Sequence, residues 1–342
     1  MRYRNINLIR GGQPRMLMKG KGILPKHDLS NRIVIRLSDH RMVTLNKICT
    51  LADWEDPDLY NMMLEIFPLN PPFHPFHISN FEPYDKPVMH RKIWEWAIGM
   101  LALRKLGKLN RNSLALGIGC GSELPSFYLS NIVKYVFCTD LYPVGEKSNW
   151  LEANRDMLTH PEKYSPIEFN RRRLGVQVMD GRAIAFEDNT FDIVFSYSSI
   201  EHFGSKDEVS RTMQEIYRVL KPGGVASITT EIMVSGNYDQ LKGLRDEALA
   251  SSQNSIMLEI FTPEEVEKYI ISTADFRLHN KVDYNVSDSR GIIKFPDEAA
   301  KVPHIFLEYK DILWGSLHLA MTKKGSNLEE VWSRLGTGFD LL

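Results

Sequence analysis

From Ser113 onward, apolar runs with strand character alternate with helical segments at short intervals. That alternation constrains the chain more than any other feature, because it is the pattern of a mostly parallel sheet covered by helices on both faces. Ser113 to Ile118, Lys134 to Thr139, Leu174 to Met179, Phe191 to Tyr197 and Gly224 to Thr230 read as five strands, with Leu124 to Asn131 and Trp150 to Leu158 as helices between the first three. A further helix is delimited by a capping box, Ser205 with Glu208, and by Pro222-Gly223-Gly224 at its end. Val209, Met213, Ile216 and Leu220 give that helix one apolar stripe. Thr262, Pro263 and Glu265 open another helix ending near Ile271. Phe276 to Val286 and Ile312 to Met321 are expected to add an antiparallel pair at one edge of a doubly wound mixed sheet. Pro87 to Leu109, rich in Trp, Met and Leu at helical spacing, is expected to form an amphipathic helix beside the first strand.

These elements divide the 342 residues into an amino-terminal extension over 1–86, an α/β domain over 87–325 and a tail over 326–342. The extension lacks the alternation, and Pro68 to Pro75 mark a linker or irregular wrap. Up to Lys47 it carries eleven basic residues and two acidic ones, in a chain whose net charge is -1. Such an arm can contact nucleic acid, anionic lipid or a phosphorylated substrate, or can be an ordinary solvated face. Three cysteines, Cys49, Cys120 and Cys138, are too few and too irregularly spaced for a disulfide framework or a zinc module. With no secretory pattern at Met1 to Arg15 and no apolar run long enough to span a membrane, a cytoplasmic location is expected. His74, His77 and His90 lack the accompanying ligands of a familiar metal site, so no metal is expected, and Arg171 to Arg173 read as a solvated basic loop.

Gly117, Gly119 and Gly121 follow the first strand and precede a helix, where glycines let the backbone turn sharply and approach a ligand. Nineteen residues after Gly121, Asp140 ends the second strand, where a carboxylate can hold the ribose hydroxyls of an adenosine. The third glycine of a nicotinamide fingerprint is missing, since Ser122 follows Gly121. In this order, Gly117-Ile118-Gly119-Cys120-Gly121, Cys138-Thr139-Asp140-Leu141-Tyr142, Met179-Asp180-Gly181, Phe191-Asp192-Ile193-Val194-Phe195-Ser196 and Glu215 to Gly224 resemble the motifs of class I S-adenosylmethionine-dependent methyltransferases. The resemblance covers roughly 113–232. It implies a Rossmann-like fold, S-adenosylmethionine as cofactor, Asp140 at the ribose, Asp180 at the adenine amino group, and a cofactor site that also includes Leu141, Gly181 and Ser198. Two positions depart from the family pattern: Gly117 stands where an acid is frequent, and Glu123 where the final glycine is expected.

A sulfonium already carries an activated methyl group, so the protein needs to align an acceptor and remove its proton. Glu201 and His202, after the fourth strand, are the candidates, with His202 as general base and Glu201 orienting it or serving as base itself. An acid and a histidine here can equally stabilise the loop. Glu231 lies near the same mouth, with an ordinary solvated carboxylate as the alternative, and residues 233 to 260 have the length and polarity of a lid. The expected acceptor is a small molecule or glycan, methylated at a hydroxyl. An RNA or protein methyltransferase using the basic arm ranks lower, since no aromatic-basic RNA motif accompanies it, and a noncatalytic binding protein on the same fold is the third reading. The oligomeric state is open.

Overall fold

The structure, a computed structural model, describes residues 44–67, 89–142, 155–251, 256–286, 291–295 and 303–325. Most of the basic arm, the Pro68 to Pro75 linker, His74 and His77, the start of the expected helix at Trp150, and the 326–342 tail lie outside the described residues.

In chain order the elements are β1 (Lys47–Ile48), α1 (Pro57–Ile66), α2 (Arg91–Lys105), β2 (Leu114–Ile118), α3 (Leu124–Ser130), β3 (Tyr135–Asp140), β4 (Leu174–Val178), β5 (Phe191–Tyr197), α4 (Lys206–Val219) and β6 (Leu220–Ser235). They continue with α5 (Tyr238–Ala250), α6 (Ile256–Glu259), α7 (Pro263–Val266), β7 (Phe276–Leu278), β8 (Ile292–Lys294), β9 (Phe306–Tyr309) and β10 (Ile312–Lys323). Among the described residues they form one sheet in the order β4, β3, β2, β5, β6, β10, β9, β8. The first five strands are parallel, β10 is antiparallel to β6, and the strand order reverses beside β2. That reversal is where open α/β sheets bind ligands, outside the carboxyl ends of the strands. The expected Rossmann-like mixed sheet is the observed one.

Helix α4 is stopped and started as its sequence demands: Ser205 and Glu208 cap each other, and Val209, Met213, Ile216 and Val219 are buried. The Thr262–Glu265 capping box is present as well, and the helix it opens continues as one π turn over Glu267–Ile271.

Three expectations change. Helix α2 is not amphipathic: every residue from Ile93 to Leu103 is buried, Glu95 included. The reason lies in the expected extension, where Asp56 caps α1 and Leu59, Met62, Met63 and Ile66 join the same core, so α2 is covered on the side that would otherwise meet water. The late antiparallel pair also differs. Strand β7 has only three residues, because Asn280 turns the chain away: its side-chain oxygen accepts from the Leu45 and Asn46 amides at 3.0 and 3.3 Å. Strand β10 is then an interior strand, bonded to β6 along one side and to β9, β1 and β7 in succession along the other. Only the last turn of the expected helix at 150–158 is described, as a 3-10 turn over Arg155–Leu158.

A polar chain crosses the core. His318, wholly buried on β10, bonds the Leu45 carbonyl through Nδ1 at 2.6 Å, leaving Nε2 to accept from Ser227 at 3.0 Å, and Ser227 in turn meets the Tyr197 hydroxyl at 3.0 Å. Burial pushes the His318 pKa down to about 4. A histidine depressed in the folded state stabilises fully above its unfolded value near 6.5, and that contribution is lost as the pH falls through 4. The loss amounts to about 3 kcal/mol. Urea unfolding between pH 7 and pH 4.5 should show this decline, and a His318→Gln protein should show a shallower one.

Candidate functional site

The carboxyl ends of β2, β3, β4, β5 and β6 converge on one region. The turn after β2 holds Gly119 and Gly121 at φ of 60° and 41°, values that favour glycine. A Cβ on Gly119 would stand 2.0 Å from the Ser199 hydroxyl and 2.8 Å from the Phe203 ring. The turn is braced from β3: the Cys120 amide donates to the Thr139 carbonyl at 3.1 Å, the Thr139 hydroxyl to the Gly117 carbonyl at 2.6 Å, and the Gly121 amide to Asp140 Oδ2 at 2.9 Å. Asp140 also accepts from the Leu141 amide at 2.7 Å, and burial raises its pKa against these backbone bonds. Gly117 has a packing role, since a Cβ there would strike the Phe195 ring at 2.5 Å. Gly181 is similarly closed in by Ile118 and Phe203, each 2.6 Å from its would-be Cβ.

Beside Asp140, two large apolar side chains face solvent at the ends of adjacent strands: Leu141 and Val178, each 55% exposed. This is a surface on which a flat base can lie, and with Asp140 and the glycine turn it fits the adenosine end of S-adenosylmethionine. Asp180, expected at the adenine amino group, is gripped by Arg182, which donates to both its oxygens at 2.8 to 3.2 Å, and this holds its pKa down. A ligand amino group there would share the carboxylate with Arg182. Ser198, at φ 48°, turns the chain out of β5 while its amide stays bonded to Thr229 at 3.0 Å.

That turn delivers Ile200, Glu201 and His202 to the mouth. Glu201 is 2% exposed and accepts from the Thr230 hydroxyl at 3.2 Å. Glu259 from α6 lies 3.0 Å from the His202 Nδ1. Burial alone would lower the His202 pKa, but the hydrogen bond to Glu259 and the charges of Glu201, Glu259 and Glu231 prevail and raise it. The segment carrying Glu259 is fixed rather than loose. Phe261 bonds across to Glu231 and Met233 on β6, Lys206 donates to the Glu259 and Ile260 carbonyls at 3.2 Å, and Arg245 clamps Glu265.

Glu231 is no solvated carboxylate. It is 3% exposed and ion-paired to Arg91, the first residue of α2. Lys92 follows, lying 2.7 Å from Glu95 and 3.2 Å from Glu123 and donating to the Tyr197 carbonyl at 3.0 Å. Burial pushes Glu123 up to about 7 in spite of Lys92, whereas Lys92 and Arg91 overcome burial at Glu95 and lower its pKa. The glutamate that replaces a family glycine is therefore part of an ion network. Sequence reasoning missed Arg91, Lys92, Glu95, Glu259 and Val178. The one available signal was the cluster of charges inside an otherwise apolar helix at Arg91 to Glu95. His90 caps α2 and stacks near His304, and no cluster of three metal-binding side chains occurs among the described residues.

Comparison with known proteins now adds to this geometry. Residues 116–228, spanning β2 to the middle of β6, match the family model described as "Methyltransferase domain". This segment is a class I methyltransferase domain. Its cofactor is S-adenosylmethionine. The methyltransferase domain is similar to phosphoethanolamine N-methyltransferase 2 of Caenorhabditis elegans, 30% identical over 122 residues, or 36% of this chain and 24% of that protein. It is also similar to the sterol 4-C-methyltransferase strm-1 of the same organism, 35% identical over 134 residues, covering 39% of this chain and 35% of the other. The chain thus spans well under half the length of the curated relatives it matches. A solved putative methyltransferase from Bacillus halodurans aligns over 65% of this chain and 99% of its own at 17% identity, with a TM-score of 0.44. No helix among the described residues is long and apolar enough to cross a membrane.

Asp140→Asn should weaken S-adenosylmethionine binding by about tenfold or more, since one charge-assisted contact is worth roughly 1.5 kcal/mol or above. Calorimetry on the folded variant checks this, and an unchanged affinity would remove Asp140 from the site.

Proposed function

We propose that this chain transfers the S-adenosylmethionine methyl group to a hydroxyl of a small-molecule or glycan acceptor. The observation that carries this reading is the His202–Glu259 pair at the carboxyl end of β5, 3.0 Å apart. A ring with its Nδ1 proton held by a carboxylate carries its basic lone pair on Nε2, the arrangement suited to taking a proton from a hydroxyl. When bound, the cofactor supplies an electrophilic methyl on a sulfonium, and the chain supplies position and proton transfer. Gly119, Gly121, Asp140, Leu141 and Val178 hold its adenosine end in this reading, with Asp180, Gly181 and Ser198 shaping the walls. Gly117 keeps the turn seated on Phe195. Glu201, buried and bonded to Thr230, is a binding group in this scheme rather than the base.

The relatives named above are called after small acceptors, which favours a small molecule over a macromolecule. The test is incubation of the full chain with methyl-labelled S-adenosylmethionine and a panel of hydroxylated small molecules and glycans, with mass spectrometry of the products. A methyl ether supports the reading; label found only on RNA or protein overturns it.

His202→Ala should lower kcat/KM by about 10²- to 10⁴-fold, the usual worth of a general base, with S-adenosylmethionine affinity little changed. Because the base works unprotonated, the rate should rise with pH through the raised His202 pKa. Glu259→Gln removes part of what raises it, so the acid limb of the pH–rate profile should move to lower pH while the plateau falls. An acid limb unmoved by Glu259→Gln would separate Glu259 from the proton transfer.

A further inference from the structure

The carboxylates at this mouth outnumber the donors that reach them. Arg91 is engaged with Glu231 and Glu95, and Lys92 with Glu95 and Glu123, so the two cations of α2 are shared among three acids. Glu201 receives the Thr230 hydroxyl on Oε2. Like Glu123 Oε2 and Glu259 Oε2 nearby, Glu201 Oε1 and Glu231 Oε2 are buried with no hydrogen-bond partner among the described residues. Each is on a side chain more than nine-tenths buried, and the two acids feel one another's charge. A buried acceptor oxygen without a donor costs about 1–3 kcal/mol, more when charged. Native proteins keep few such groups, and those they keep commonly face a ligand or ordered water.

Charge counting points the same way. Glu95, Glu123, Glu201 and Glu231 face Arg91 and Lys92, an excess of acid over fixed cation in which Glu95, Glu201 and Glu231 are buried. The nearby His202 is already held by Glu259, and Lys206 is directed to the Glu259 and Ile260 carbonyls. A positive ligand group would satisfy both open oxygens and the imbalance together.

We propose that Glu201 and Glu231 form a subsite for an organic cation beside the transferring methyl group. This deepens the methyltransferase reading and rests on it. The cation has two chemical sources, the sulfonium of the cofactor or a protonated amine on the acceptor, the latter making the acceptor an amino-bearing hydroxyl compound. Burial pushes Glu201 up to about 7, with Glu231 adding to the rise and His202 and Lys92 opposing it. A cation binds the ionised form, so affinity should increase as the pH rises through about 7. The charged groups that Glu201 feels in this titration are Arg91, Lys92, His202, Lys206 and Glu231.

The experiment is calorimetry on the full chain and on Glu201→Gln and Glu231→Gln, near-isosteric changes. The ligands are S-adenosylmethionine, the uncharged-sulfur analogue S-adenosylhomocysteine, and glucosamine against glucose in the presence of S-adenosylhomocysteine. A preference for S-adenosylmethionine over S-adenosylhomocysteine that drops tenfold or more in both variants assigns the subsite to the cofactor. A preference for glucosamine over glucose that disappears in both variants assigns it to the acceptor. If neither preference changes, the inference is overturned. The wild-type protein provides an arm independent of variant folding: affinity for the preferred cation that is flat from pH 6 to 8, once corrected for the ligand amine's own protonation, also overturns it. A folded wild-type chain that binds no S-adenosylmethionine at all is a different result, and defeats the methyltransferase reading itself.

Discussion

The ion network that begins α2 sets the position of everything at the mouth of the sheet. Arg91 reaches β6 through Glu231 and β10 through the Ser316 hydroxyl, while Lys92 reaches the start of α3 through Glu123 and the end of β5 through the Tyr197 carbonyl. Two consecutive residues therefore fasten three strands and a helix to one point. Such a network is not a source of large net stability, because taking each ion out of water costs several kcal/mol that the pairing only offsets. Its effect is geometric. Removal of one member strands the others, which is typically a loss of about 3–5 kcal/mol, so the network persists as a unit or not at all.

The cofactor turn shows the same economy of support. Its glycines meet protein as much as ligand: Phe195 fills the space over Gly117, and Phe203 occupies the room beside both Gly119 and Gly181. Cys120 and Cys138 pack sulfur to sulfur beneath the turn, and the Tyr142 hydroxyl donates to the Gly121 carbonyl at 2.7 Å. Asp140 thus has a structural duty, tethering the Gly121 amide, alongside its expected one at a ribose. A turn fixed in this way meets its ligand without first having to be ordered.

The parallel half of the sheet was legible because each strand is a short apolar run and each helix carries local stop and start chemistry, as at Ser205–Glu208 and Thr262–Glu265. The antiparallel half was harder. Strand β7 ends at Leu278 because of an asparagine bonded to residues more than 230 positions away, a contact no local pattern carries. Helix α2 looked amphipathic because Trp, Met, Leu and Lys recur at helical spacing, and only the packing of α1 shows that its remaining face is buried. At the site, Asp140 and the glycine turn could be found by spacing, since one βαβ unit fixes both. Glu259 could not: it reaches His202 from a helix 57 residues later, and the meeting depends on how the segment after α5 lies along β6.

Strand β10 is twelve residues long, and its outer side is occupied by three unrelated pieces of chain: β9 at one end, β1 in the middle and β7 at the other. A long strand with a bare side is a template onto which another chain can add its own strand. Here the middle of that side is covered by two residues, Lys47 and Ile48, held by the asparagine bonds at 45 and 46. The stretch around residue 46 therefore closes an edge that would otherwise stand open in the middle of β10.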